Sequence, residues 1–205
     1  VDGFQFDIEM ETGTGKTYVY LRTAFELATK YKFNKYIILV PSVAIREGVK
    51  TSIQSMREHF RHLYPQINME YTVYSGDRAE DVRDFATATS LQFLVMTIDS
   101  IRGDKNTRII HQQRDKLSGL RPLDYLQATR PIVIMDEPQN MESLLAQSAV
   151  ADLNPMCTLS HSPHDPKRCV PARSTRCAPA GAGEEDRCIG CSRARERGQA
   201  VCEAS

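Results

Sequence analysis

Two patterns of apolar positions alternate along the first 159 residues. Continuous apolar runs at 36–40 (YIILV), 93–98 (FLVMTI) and 132–135 (IVIM) read as strands buried on both faces. Between them the period lengthens: Tyr18, Leu21, Phe25 and Ala28 fall at helical spacing within residues 16–31. Residues 44–64 and 78–88 predict two further helices, and residues 4–10 and 69–74 two further strands. Pro41 stops the first buried run, while residues 104–129 are polar and predict helix or loop. Strands alternating with helices predict an α/β fold, a parallel sheet with helices on both faces.

The pattern fails abruptly at Ser160. Beyond it the chain is rich in Arg, Cys, Pro, Gly and Ala, with Val170, Ile189 and Val201 as its large aliphatic residues. Such a segment buries too little apolar surface to offset its ordering entropy. The expected organisation is therefore one domain over residues 1–159 and a disordered tail over 160–205.

Composition adds exclusions. The net charge of zero argues against a basic protein that coats nucleic acid, but not against one that grips a backbone at a few points. No apolar run approaches the roughly 18–20 residues that a membrane span needs, and no signal-peptide pattern opens the chain. Cys157 is the body's one cysteine, which reads as cytosolic, so a cytoplasmic protein without membrane contact is expected. In the tail, Cys188 and Cys191 with Cys169 and Cys177 offer four thiolates, but the first pair is too widely spaced for a zinc knuckle.

Candidate chemistry sits where strands end. Thr12, Gly13, Thr14, Gly15, Lys16 and Thr17 follow a predicted strand and open a predicted helix, the context of a phosphate-binding loop. Glycines allow the tight turn, backbone N–H groups converge on phosphate oxygens, and the helix dipole favours the anion. Lys16 would reach the β- and γ-phosphates of ATP and Thr17 would ligate Mg²⁺. Met10 stands where the strict pattern has a glycine. About 120 residues on, the strand 132–135 runs into Asp136 and Glu137, which puts two carboxylates at the ligand-binding edge of such a sheet. Asp136 would hold Mg²⁺ through water, and Glu137 would orient or deprotonate the attacking water. His59, His62 and His111 lack metal-ligand spacing and read as surface or structurally satisfied residues.

The blocks ETGTGKT, VPSVAIREGV, MTIDS and RPIVIMDEPQNM, in that order, resemble the N-terminal motor domain of superfamily 2 helicases. Over residues 6–159 the chain most resembles the Res subunit of type III restriction–modification enzymes. That family has a DEPQ box and also lacks the first glycine of the phosphate loop. The resemblance implies a RecA-like P-loop NTPase domain, a DNA-dependent ATPase and translocase. It places Pro41 and Ser42, with Arg46 beyond, in a first DNA-contacting loop, and Thr97, Asp99 and Ser100 in a second. A competing assignment has Ser42 and Asp99 merely capping helices. By the same resemblance Gln139 senses the γ-phosphate and couples it to the DNA loops, and the partners are double-stranded DNA, a modification (methyltransferase) subunit and a second motor domain.

Departures from the family temper this. Its Ser-Ala-Thr motif is expected after Leu159, where this chain reads Ser160, His161, Ser162 and Pro163. No second motor domain or nuclease pattern is recognisable, so ATP binding with weak unassisted turnover is expected. Read one base later, residues 183–187 permit a family-like Val-Lys-Lys-Ile, and out-of-frame translation accounts for the tail's composition and its cysteines together. Two alternatives stay open: a non-catalytic truncated module that binds DNA or a modification subunit, and an unrelated P-loop NTPase such as a small kinase.

Overall fold

The computed structural model describes residues 4–11, 13–74, 76, 78–102, 108–113, 119–141 and 143–162, and the backbone of 192–194 and 201–203. Residues 1–164 form one unit. Its strands are β1 (Phe4–Glu9), β2 (Lys35–Val40), β3 (Met69–Val73), β4 (Leu91–Thr97), β5 (Ile132–Asp136) and β6 (Cys157–Ser162). Its helices are α1 (Lys16–Tyr31), α2 (Val43–Leu63), α3 (Ala79–Thr87), α4 (Pro122–Thr129) and α5 (Leu144–Asp152). In the second unit, residues 165–205, β7 (Ser192–Ala194) pairs antiparallel with β8 (Val201–Glu203). The tail's cysteines and the segments proposed as out of frame lie outside the described residues, apart from the backbone of Cys202 in β8.

The six strands make one parallel sheet in the order β1-β6-β5-β2-β4-β3. Alternation along each central strand divides the core into two halves. Tyr36, Ile38, Val40, Phe93, Val95, Ile132 and Ile134 pack with α1 and α2 on one face. Ile37, Leu39, Leu94, Met96 and Val133 pack with α3, α4 and α5 on the other. This two-faced burial is why these strands read as unbroken apolar runs rather than alternating ones. The architecture is the RecA-like P-loop NTPase fold.

An aromatic cluster ties α1 to α2. Phe60 stacks on Phe25 with centroids 4.8 Å apart and planes 8° from parallel, and on Tyr18 at 5.3 Å. Tyr64 stacks on Phe25 at 5.0 Å and donates its hydroxyl to Glu26 at 2.6 Å. The cluster sets how α1, which opens after the glycine-rich turn, packs against α2, which opens after β2.

The predicted elements recur with shifts of a few residues at their ends, except that Ile98 belongs to a 3₁₀ turn over Ile98–Ser100 rather than to its strand. Within the polar stretch 104–129 the described residues form the turn Ile109–His111 and α4. The sequence reading lacks β6 and α5. Ser160, His161 and Ser162, expected in the tail, complete β6, which lies between β1 and β5 with both neighbours parallel. Strand β6 escaped detection because its sequence, CTLSHS, buries polar Ser160 and His161 where an apolar run would be sought.

Candidate functional site

In an all-parallel sheet every strand ends at the same edge, so strand order becomes loop order. Across the edge lie the turn after β1, then His161 and Ser162 of β6, Asp136 of β5, Pro41 after β2 and Thr97 of β4. Two of the sequence-predicted groups, the glycine-rich turn and the acidic pair, are thus separated by a single strand. The loops after β2 and β4 sit side by side next to the acidic strand.

The first turn is built on left-handed glycines. Gly13 has φ +84° and Gly15 φ +89°, and Gly15 is the N-cap of α1. Thr14 closes the turn onto Glu11, with its N–H at 3.3 Å and its hydroxyl at 2.6 Å from the Glu11 carbonyl oxygen. Helix propagation starts where the Val19 N–H reaches the Gly15 carbonyl at 3.1 Å. The first N–H groups of α1 have no intrahelical acceptors and face this turn, as at any helix start. Gly13 and Gly15 are exposed, and a side chain at Gly13 would meet no atom within 4 Å. Thr12 lies outside the described residues.

Lys16 is buried beside the acidic strand, and its charge acts on both Asp136 and His161. Asp136 is itself only 8% exposed. Burial raises its carboxyl pKa, Glu137 next to it adds to the rise, and Lys16 opposes both. Glu137 takes a left-handed backbone, φ +58°, a conformation that costs a non-glycine residue about 1–2 kcal/mol. It is held there by its N–H on the His161 carbonyl at 3.2 Å and by Asn140, whose side-chain amide donates to Glu137 Oε2 at 3.4 Å. Strain of this kind collects at functional sites. Gln139 is exposed in the 3₁₀ turn Pro138–Met141 that follows.

The donor set suits a magnesium–nucleotide pair. Thr17 and Asp136 offer hard oxygen atoms, and the described residues contain no group of three or more His, Cys, Asp or Glu able to hold a metal on their own. A divalent ion here would complete its shell from phosphates and water, as Mg²⁺ does.

The two candidate DNA loops differ in what they leave free. Ser42 is exposed and its Oγ accepts the Ile45 N–H at a long 3.4 Å, so it caps α2 weakly. Pro41 is half-buried before it. Arg46 is committed elsewhere: it donates to the Tyr74 carbonyl and to Glu47, each at 3.3 Å. Thr97 is buried and its hydroxyl pairs with Ser100 at 2.9 Å, while exposed Asp99 pairs with Arg102 instead of capping a helix. His59 bonds the Tyr18 hydroxyl at 3.2 Å, and buried His111 bonds the Ile101 carbonyl at 3.1 Å.

The sequence reading missed two residues at this edge. His161 is fully buried, in register with Asp136, and its ring stands edge-on to Tyr20 with centroids 5.5 Å apart. Tyr20, one helical turn after Lys16, is fully buried as well. Burial lowers the His161 pKa and raises that of Tyr20, with the Asp136 charge adding to the latter. A departure from Ser-Ala-Thr was the only signal in the sequence for His161; for Tyr20 there was none beyond its helical position. A cleft of about 480 Å³ lined by Gln54, Arg57, Arg61, Pro65 and Met69 sits at the other edge of the sheet, before β3, and takes no part in this arrangement.

Comparison with known proteins gives the geometry a family. Residues 3–158 match the family model described as type III restriction enzyme, res subunit. The chain is 37% identical over 155 residues to the StyLTI Res subunit of Salmonella typhimurium and 34% identical over 152 residues to the EcoP15I Res subunit of Escherichia coli. Those alignments cover 67% and 64% of this chain but only 16% and 15% of the relatives. Among solved structures, the Sulfolobus solfataricus SWI2/SNF2 ATPase core in complex with dsDNA matches with TM-score 0.50 at 13% identity, over 78% of this chain and 28% of that one. A nuclease-deletion mutant of the Type ISP restriction-modification enzyme LlaGI gives TM-score 0.50 at 13% identity, over 78% and 16%. The structural likenesses concern the fold, while the match over most of the folded unit decides the family: this chain belongs to the type III restriction enzyme Res subunits.

Proposed function

We propose that residues 1–162 bind ATP with Mg²⁺ at the edge shared by β1, β6 and β5, as the nucleotide half of a DNA-dependent ATPase and translocase. The observation that carries this reading is the meeting of Gly13, Gly15 and Lys16 with Asp136 and Glu137 across one strand of a parallel sheet. Backbone N–H groups of the turn and Lys16 bind the β- and γ-phosphates, and Thr17 and Asp136 hold the metal. When bound, Mg²⁺ neutralises charge on the phosphate oxygens. Glu137, aimed by its strained backbone, orients the attacking water, and Gln139, exposed in the turn that follows, senses the γ-phosphate.

The loops after β2 and β4 hold a DNA backbone through exposed Ser42 and half-buried Ser100, with buried Thr97 orienting the Ser100 hydroxyl, by contacts that position without reading sequence. Pro41 shapes the first loop and Asp99 borders the second. Site recognition then falls to a modification subunit, and the family match supports both partners. Among the described residues, the charges acting on Asp136 are those of Glu137 and Lys16. An arginine supplied by a second motor domain accelerates related phosphoryl transfers by about 10³–10⁵, so turnover by this chain alone is weak.

Equilibrium binding of a fluorescent ATP analogue tests the reading. Binding is expected to need Mg²⁺ for full affinity, to be lost in Lys16→Ala and to persist in Glu137→Gln. Undiminished binding by Lys16→Ala would remove the nucleotide site from this edge.

A further inference from the structure

Among the described residues, three buried polar atoms at this edge have no hydrogen-bond partner of normal geometry: Tyr20 Oη and both ring nitrogens of His161. Thr17 lies near the Tyr20 hydroxyl and a Leu159 backbone group near the His161 ring, each short of a proper bond. Buried polar groups are paired in roughly 90% of cases or more, and leaving one unpaired is costly. These three belong to two rings that pack together. Tyr20 and His161 touch edge to face, and they stand among Lys16, Thr17 and Asp136.

Their chemistry suits a particular task. A buried tyrosine stays an O–H donor, and a neutral imidazole offers one donor and one acceptor. Groups that hold a metal are themselves held by an outer layer of hydrogen bonds, whose loss typically costs 10–100-fold in metal affinity. Thr17 and Asp136 need such a layer, and among the described residues Tyr20 Oη and the His161 ring are unspent polar groups beside them. His161 has a second connection, because its carbonyl carries the Glu137 N–H.

We propose that Tyr20 and His161 are positioning residues for magnesium. In the nucleotide-loaded site the Tyr20 hydroxyl and the His161 ring hydrogen-bond to Thr17, Asp136 or the metal's water from behind, fixing the oxygen atoms that hold the ion. The inference rests on the nucleotide reading above. It adds that His161 supports the metal from β6, three residues beyond the family-matched span 3–158.

The test separates metal support from packing. The affinity of the fluorescent ATP analogue is measured on the full chain in Mg²⁺ and in excess EDTA, with thermal melting of the nucleotide-free protein alongside. Tyr20→Phe keeps the ring and removes one orphan, so the melt is expected to hold or rise. The gain in affinity on adding Mg²⁺ should nevertheless fall about 10-fold, with affinity in EDTA within twofold of wild type. His161→Leu should behave alike, and His161→Gln, which restores a donor and an acceptor, should recover part of the gain. A wild-type Mg²⁺ gain in Tyr20→Phe and His161→Leu, with binding still lost in Lys16→Ala, overturns this inference alone. Retained binding in Lys16→Ala overturns the nucleotide reading and this one with it.

Discussion

Alanine at Gly15 and at Gly48 should move stability in opposite directions, for reasons set by the backbone. Gly15 sits at φ +89°, and an added Cβ would meet only the Tyr18 Cβ at 3.9 Å, so crowding is not the obstacle. The cost is local: a left-handed L-residue is strained by about 1–2 kcal/mol, partly offset by about 0.4–1 kcal/mol from a less flexible unfolded chain. Gly15→Ala should therefore lose about 0.5–1.5 kcal/mol. Gly48 lies within α2 at ordinary helical φ, with nothing within 4 Å of an added Cβ. There the same methyl should gain about 0.5–1 kcal/mol. At roughly 2–4 °C per kcal/mol for a chain of this size, calorimetry should show Gly15→Ala melting about 1–6 °C below wild type and Gly48→Ala about 1–4 °C above. If the turn escapes strain by rotating Gly15 out of the left-handed region, its N–H turns from the phosphates, so ATP affinity should also fall at least about tenfold in Gly15→Ala and stay unchanged in Gly48→Ala. Equal melts and equal affinities in the two variants would refute the argument from backbone conformation.

Two further predictions probe the core and the site's charge. Phe60→Ala removes the ring that stacks on Phe25 and Tyr18, and should cost about 3–5 kcal/mol in denaturant unfolding; a loss below about 1.5 kcal/mol would mean α1 is held by something else. Asp136 has a raised carboxyl pKa in the fold, so its contribution to stability declines as pH rises from the unfolded carboxyl value through the folded one and stays at the lower level above. Asp136→Asn should accordingly raise the nucleotide-free melting temperature at pH 7, narrow its difference from wild type at pH 4, and abolish the Mg²⁺-dependent part of ATP binding. A variant less stable than wild type at pH 7 would show that the carboxylate is better paired than its burial suggests.

Local chemistry made much of this protein legible before any coordinates. The apolar runs of β2, β4 and β5 could be read because both faces of the sheet are covered, which leaves those strands with almost no polar positions. The glycine-rich turn could be read because the left-handed backbone at positions 13 and 15 favours glycine, and the acidic pair because it terminates an apolar strand. Even Ser42 was legible as a competition between capping and contact, and the long 3.4 Å cap leaves both roles open to its hydroxyl.

What tertiary structure decided is non-local. That β6 enters the sheet between β1 and β5 is a matter of strand order, which no residue announces, and its buried polar side chains hid it from any search for apolar runs. The same insertion sets His161 between the strand that ends in the glycine-rich turn and Asp136, and brings it against Tyr20. Arg46 looked like a free charge beside Ser42 until β3 arrived with the Tyr74 carbonyl, and Asp99 looked like a cap until Arg102 took it. A sequence shows which groups a chain can offer; only packing from distant segments determines which remain unpaired and therefore available to a ligand.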